Sequence, residues 1–206
     1  MVLIIICLHY CFSIQYRQQP SDLATKINQP NLLELIQIFL HKQLHVNSLP
    51  RLSSSGSDSD IDDLPEFNGT LSVYNLAVAT FYTPSDLSSI SGMHHEHIHA
   101  VSSWQGEGPQ YDCVIISTDP TKEGMQGMDV AHVHLFFSFK YCNILYLCAL
   151  IQWYSCCSDE PDEDTGMWVV EPDFNHDGSP TMAIVHLDTI IHASHLIGVY
   201  GSSILP

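Results

Sequence analysis

The residues with the clearest chemical potential form a histidine-rich run at positions 94–99. Within it, His95-Glu96-His97-Ile98-His99 matches the H-E-x-x-H motif. In zinc proteases the two histidines lie one helical turn apart and bind the metal, and the glutamate activates its water. The longer H-E-x-x-H-x-x-G pattern is not met, because position 102 is Ser. We therefore predict no metal and no cofactor, and keep His95, His99 and Glu96 as the alternative metal site.

Two further motifs suggest catalysis or metal binding but stand in loop-like surroundings. Asp164-Thr165-Gly166 resembles the aspartic-protease triplet, yet it follows an acidic stretch at 159–163 rather than an apolar strand. Residues 173–178 (DFNHDG) copy the first half of a calcium loop, but its twelfth position is Ile184 instead of a bidentate Glu. No G-x-S-x-G motif and no Gly-rich phosphate loop occurs. The sequence predicts a protein that is not an enzyme and has no catalytic residues.

A second histidine pair, His132 and His134, lies in an alternating segment at 130–141 (VAHVHLFFSFKY). The alternation predicts a strand with Val133, Leu135, Phe137 and Phe139 on one face. His132 and His134 would then share the other face with Ser138 and Lys140. The pair could form half of a metal site or a solvent-facing patch.

The composition is unusual because basic residues are scarce while histidine is abundant. The chain has 206 residues with 6 Lys and Arg, 23 Asp and Glu and 13 His, which gives a net charge of −17. Such acidity opposes strong binding to phosphate backbones or anionic membranes. We therefore predict no strong nucleic-acid binding and no membrane partner. Most arginine codons begin with CG, and deamination of methylated CG converts them to His, Gln, Cys or Trp codons. Mutational decay would therefore also produce this composition.

The elements that must position these residues are mostly strands. Residues 31–45 carry apolar side chains at helical spacing after Pro30, and residues 92–103 are expected to form a second helix. Predicted strands cover 71–82, 111–117, 130–141, 144–154, 167–171, 181–187 and 196–200, with a short helix at 189–193 and a turn at 175–178. The fold class is α+β, mainly β: a small barrel-like or strongly bent antiparallel sheet with an N-terminal helix and one or two short helices.

The domain organisation follows from composition. Residues 1–25 are an apolar N-terminal segment that either a buried strand or a wrong gene start would explain. Residues 26–46 are a helix, 47–63 a disordered acidic linker and 64–206 a mainly-β domain. The 7 cysteines form no regular framework, which favours a reduced, intracellular setting. The sequon Asn68-Gly69-Thr70 leaves secretion open.

From about residue 27 to 206 the chain resembles the C-terminal region of Plavaka-type transposases, which belong to CACTA-like DNA transposons of mushroom-forming fungi. The stretches that carry the resemblance are 26–45, 64–93, 129–141, 159–174 and 190–201. In that family, arginines typically stand where this chain has His94, His95, His99, His132 and His134, and Gln105 and His192 fit the same replacement.

The resemblance implies a nuclear protein whose catalytic core would lie upstream of the matching region. It predicts a non-catalytic relic of a transposase accessory domain, with ancestral contacts to DNA or to transposase protein. The alternative is a functional histidine-rich module that binds a divalent metal or responds to pH. A third hypothesis, a secreted H-E-x-x-H zinc hydrolase, requires His95, Glu96 and His99 to form a zinc site.

Overall fold

Strands dominate the part of the chain that the structure, a computed structural model, describes: residues 16–46, 64–82, 93–103, 108–122 and 124–199. The elements are β1 (Tyr16–Gln18), α1 (Pro20–Lys26), α2 (Leu32–Val46), β2 (Leu71–Tyr74), β3 (Leu76–Tyr82), β4 (Met93–Val101), β5 (Gln110–Tyr111), β6 (Cys113–Ser117), β7 (Met128–Tyr141), β8 (Ile144–Cys156), β9 (Val170–Pro172), β10 (Met182–His186) and β11 (Ile190–Ser194). The α+β, mainly-β prediction is confirmed, and the antiparallel sheets do not close into a barrel among these residues.

The hairpin of β7 and β8 is the centre of the larger sheet. Its turn residues Cys142 and Asn143 have φ angles of 49° and 64°, as a type I′ turn requires. Strands β2 and β6 pair with different parts of β7, and β1 and β11 extend the sheet beyond them. Strands β9 and β10 pair with the other edge of β8. The long hairpin that the sequence predicts is therefore confirmed, and both its strands are interior.

Each face of the central hairpin is covered by a different layer. On one face, the helices pack through Leu23, Ile36 and Phe39 against side chains such as Phe139 and Leu150. On the other face, the smaller sheet of β3, β4 and β5 contributes Ala79 and Ile98 to a second core. This arrangement explains why residues 144–154 are apolar on both sides, as expected for a central strand.

Helix α2 confirms the helix predicted at 31–45, and its apolar stripe lies against the sheet. Residues 16–25, the described part of the predicted N-terminal segment, contribute to the sheet and the core. Tyr16–Gln18 pairs with β2, and α1 buries Leu23 completely in the core. None of the described helices is long and apolar enough to span a membrane.

A β-bulge at His134 corrects the predicted faces of β7. Val133 pairs with Ile151 and Leu135 with Leu150, so one extra residue stands between them. The bulge reverses the alternation, and Val133 therefore lies in the core beneath the smaller sheet while Leu135 lies beneath the helices. The prediction that Val133 shares a face with Leu135, Phe137 and Phe139 was wrong.

Two predicted strands are each divided by one residue where the chain passes between sheets. Asn75 separates β2 from β3, and Asp112 separates β5 from β6. The segment at 189–193 is mostly strand β11 rather than a helix, and its first residue ends a short 3₁₀ turn, Leu187–Thr189. Residues 196–199 are described but are not a strand, while the linker at 47–63 and residues 1–15 lie outside the described residues.

Candidate functional site

The histidine run lies on strand β4, not on the helix that was predicted for residues 92–103. Its side chains alternate: Ile98 and Ala100 are buried in the core, whereas His95 and His97 are exposed. Pairing with β3 places Thr80 beside His95, and the Thr80 Oγ1 lies 2.8 Å from His95 Nδ1. Burial of alternate residues and the pairing with β3 show that this segment is a strand, and the helix predicted at 92–103 was wrong.

This strand geometry separates the three groups of the H-E-x-x-H motif. Because each strand residue advances about 3.3 Å, the Cα atoms of His95 and His99 are about 13 Å apart. Glu96 points to the opposite face and accepts a hydrogen bond from the Ala193 backbone N–H at 2.8 Å. Within the described parts of the chain, no group of three or more metal-binding side chains comes together. The geometry gives the alternative zinc site His95, Glu96 and His99 no support.

The aspartic-protease-like triplet lies in an exposed turn. Asp162 Oδ1 accepts hydrogen bonds from the Thr165 backbone N–H at 2.9 Å and from its hydroxyl at 2.8 Å. These bonds hold the pKa of Asp162 below its ordinary value. Gly166 then adopts a positive φ of 67°. The triplet therefore has a local turn-forming role, as its acidic surroundings suggested.

The calcium-like loop is the turn between β9 and β10. Asp177 Oδ1 accepts the Ser179 backbone N–H at 2.8 Å and the Ser179 hydroxyl at 2.6 Å, and these bonds lower its pKa. Gly178 has a φ of 79°, as the tight turn requires. Ile184, at the twelfth position, pairs with Leu150 inside the sheet. The predicted turn at 175–178 accounts for these residues.

One histidine group, which we call the Asp112 cluster, consists of His99, Gln110 and Asp112. Asp112 Oδ2 accepts the His99 backbone N–H at 2.7 Å and lies 3.0 Å from His99 Nδ1. Gln110 Nε2 lies 3.3 Å from the other carboxylate oxygen. The Asp112 carbonyl also accepts the Val133 N–H at 3.0 Å. This single residue thus joins β4 to β7 where the chain changes sheets.

A second group, the Tyr111 cluster, consists of Tyr111, His132, His134 and Gln152. His132 Nε2 donates to the Tyr111 carbonyl at 3.1 Å, and the two histidine rings have centroids 4.9 Å apart. The Tyr111 ring stacks on His134 at 6.1 Å with an interplanar angle of 27°. His134 stands at the bulge, and because Tyr111 and Asp112 are consecutive residues the two clusters adjoin each other.

His134 is the most perturbed histidine among the described residues. Its Nε2 is buried and has no hydrogen-bond partner in the described part of the chain. Burial lowers the pKa of the imidazole below its ordinary value of 6.5, and the charge of His132 lowers it further. The Gln152 side chain, which is near enough to interact with the ring, opposes this shift. His134 is therefore held neutral at pH values where exposed histidines begin to protonate.

Cys113 stands opposite His132 in the register of β6 and β7, which places a thiol beside an imidazole. Burial, and then the negative charge of Asp112, raise the pKa of Cys113 to about 11. A thiol with this pKa is protonated at neutral pH and is a weak nucleophile. The pair therefore lacks the thiolate of a cysteine-histidine catalytic site.

The sequence identified the histidines but not the residues that organise them. Tyr111, Asp112 and Gln152 were treated only as strand residues. A usable signal was present, since Asp112 places a carboxylate inside an otherwise apolar strand segment, YDCVIIS. Such a residue requires a partner on a neighbouring strand.

Comparison with known proteins yields no match to a family model, a curated protein or a solved structure.

Proposed function

We propose that this chain is a non-catalytic relic of a transposase C-terminal accessory domain in which histidine has replaced basic contact residues. The proposal combines the resemblance described above with the surroundings of the histidines in the fold. One observation carries it: the Asp112 carboxylate lies 3.0 Å from His99 Nδ1, so a side chain at position 99 stands beside a negative charge. DNA is the proposed ancestral partner.

The Asp112 cluster is suited to a permanent cation. Both the His99 backbone N–H and its ring nitrogen approach the same carboxylate oxygen. Histidine neutralises that carboxylate only when protonated, whereas arginine remains charged and can bind both oxygens. Asp112 would therefore help to position an arginine at residue 99, whose remaining guanidinium donors could contact a phosphate.

The Tyr111 cluster offers a comparable environment. A planar guanidinium at position 134 could stack on the Tyr111 ring, where imidazole now lies at 6.1 Å. The greater length of arginine would carry its charge away from the buried position that leaves His134 Nε2 without a partner. The surroundings of both clusters thus favour the hypothesis that histidine has replaced a longer basic side chain.

The non-catalytic part of the proposal is supported by the roles of the motif residues. Glu96 accepts a hydrogen bond from β11, Thr165 of the triplet donates to Asp162 within a turn, and Asp177 forms another turn. The carboxylates of Glu96 and Asp177, which the zinc and calcium hypotheses need, are thus engaged in holding the local backbone. The zinc-hydrolase hypothesis additionally conflicts with the strand that separates His95 from His99.

A reciprocal arginine experiment tests this proposal. The restored set changes His94, His95, His99, His132 and His134 to Arg; the matched set changes His41, His45, His176, His186 and His195 to Arg. Each set adds five positive charges, from −17 to −12, so overall charge is equal. We expect salt-dependent binding to duplex DNA only for the restored set, because position as well as charge determines phosphate contacts.

The alternative function, a pH-responsive module, is favoured by one observation: His134 Nε2 is buried and has no hydrogen-bond partner among the described residues. The pKa of His134 is lowered in the folded chain, so the unfolded chain takes up a proton first as pH falls through about 6.5. The stability contributed by neutral, buried His134 is therefore fully present above about pH 6.5. It is lost progressively as the pH falls from there to the lower pKa of the folded chain.

We expect the free energy of unfolding to fall between pH 7 and 5, by up to about 1.4 kcal/mol per pH unit from this one group. Urea titrations of the wild type and His134→Gln at several pH values would measure the difference. His176→Gln, at an exposed turn position, is the control. Equal pH dependence in the wild type and His134→Gln would remove His134 as the responsive group.

A further inference from the structure

A cleft on the face of β1, β2 and β7 gathers two of the few basic residues of the chain. It has a volume of about 500 Å³ and is lined by Arg17 and Lys140, with Thr70, Ser72, Tyr74 and Ser138 between them. Pockets of about 300–1,000 Å³ are typical of small-molecule sites. The whole chain has only 6 Lys and Arg residues, so two of them in one cleft are a notable local accumulation of positive charge.

Strand register places the polar side chains of the cleft on one face. Arg17 pairs with Ser72, and Ser72 pairs in turn with Ser138. Lys140 follows Ser138 by two residues and so projects to the same side. Neighbouring strands lie about 4.8 Å apart and two strand residues span about 7 Å, so the two cationic side chains can reach a common point between them.

Neither cation of the cleft forms an ion pair with a carboxylate among the residues that the structure describes, although the sequence has 23 Asp and Glu. None of the described residues that line the cleft is acidic. By contrast, Lys122 lies 3.8 Å from Asp119, and Lys26 lies 3.9 Å from the centroid of the Tyr16 ring.

The hydroxyls between the cations add directional donors. Tyr74 Oη and Ser138 Oγ lie 2.9 Å apart and both side chains are buried. Hydroxyl donors combined with a guanidinium and an ammonium form a set that matches a multiply charged oxyanion. Leu145, which pairs with Lys140, supplies an apolar border to the same cleft.

We propose that this cleft binds the phosphate group of a small molecule, with Arg17 and Lys140 holding the phosphate oxygens and the hydroxyl row orienting them. This site is independent of the arginine-replacement proposal, because none of its residues is among the replaced positions. The apolar border favours a phosphate monoester over free phosphate. The ester group would then contact Leu145 while the phosphate faces the strand hydroxyls.

Isothermal titration with inorganic phosphate and with phenyl phosphate in 150 mM NaCl tests the site. We expect dissociation constants in the millimolar range or below, with phenyl phosphate the tighter ligand. The double variant Arg17→Gln/Lys140→Gln should weaken binding at least about tenfold, because each charge-assisted contact contributes roughly that factor. Both residues are exposed, and circular dichroism would check that the variant retains its fold.

Lys42→Gln is the matched control, since Lys42 is an exposed cation on α2, outside the cleft. Its phosphate affinity should equal that of the wild type. Binding of both ligands that survives the double variant would overturn the proposal, as would absence of binding to the wild type. Equal affinity for the two ligands would support the phosphate site but assign it to free phosphate.

Discussion

Replacing Phe139 with alanine should destabilise the protein by about 4 kcal/mol, the range found when a buried aromatic side chain is removed. Phe139 is 2% exposed on β7. Its ring lies between Phe39 of α2 at 6.3 Å and Phe67 at 5.0 Å, and it stacks on Tyr146 at 5.3 Å. The substitution would leave a cavity at the point where the helical layer meets the central hairpin.

Urea unfolding followed by circular dichroism measures this loss, and the midpoint of thermal unfolding should fall by about 10 °C. Ile144→Ala is the control, because Ile144 is 54% exposed near the end of the same hairpin. Its cost should stay below about 1 kcal/mol. A similar loss for both variants would contradict the described position of the aromatic cluster.

Replacing Asp112 with alanine should cost about 2 kcal/mol, because it removes a charged acceptor from the partly buried junction of two sheets. Its side chain is 24% exposed and that of His99 is 15% exposed. The loss leaves the His99 N–H without its acceptor at 2.7 Å. Asp112→Asn retains an oxygen for this bond but lacks the charge, so an intermediate loss is expected.

Asp188→Ala provides a matched comparison for Asp112→Ala. Asp188 Oδ2 lies 3.1 Å from His186 Nδ1, a similar distance, but the Asp188 side chain is 66% exposed. Exposed ion pairs contribute about 0–1 kcal/mol, so the loss should be smaller than at position 112. Equal losses in urea titrations would show that Asp112 has no special role in joining the sheets.

The sequence predicts much of the fold where local patterns agree with the sheet. Helix α2 and the β7–β8 hairpin follow from apolar periodicity and from the short Cys142-Asn143 turn. The segment at 93–101 was predicted to be a helix but is strand β4. The alternate burial of Ile98 and Ala100 that marks it as a strand depends on its pairing with β3. Pairing between distant strands is not encoded in local periodicity.

The candidate site shows the same limit. The histidines could be named from the sequence, but their grouping depends on the bulge at His134 and the break at Asp112. Neither feature has a strong local signal, because a bulge is defined by register against the partner strand. The Arg17 and Lys140 cleft likewise depends on β1 pairing with β2 across more than 50 residues of sequence.

The salt dependence of DNA affinity is the measurement that tests the central claim most directly. A fluorescent duplex would be titrated with the wild type, the restored set and the matched set between 50 and 200 mM salt. Each phosphate contact changes the slope of log K against log salt by about −0.9. We predict a slope of about −2 or steeper for the restored set, with no measurable binding by the wild type or the matched set. Equal binding by the two arginine sets, or none by the restored set, would contradict the claim that these histidines occupy basic contact positions.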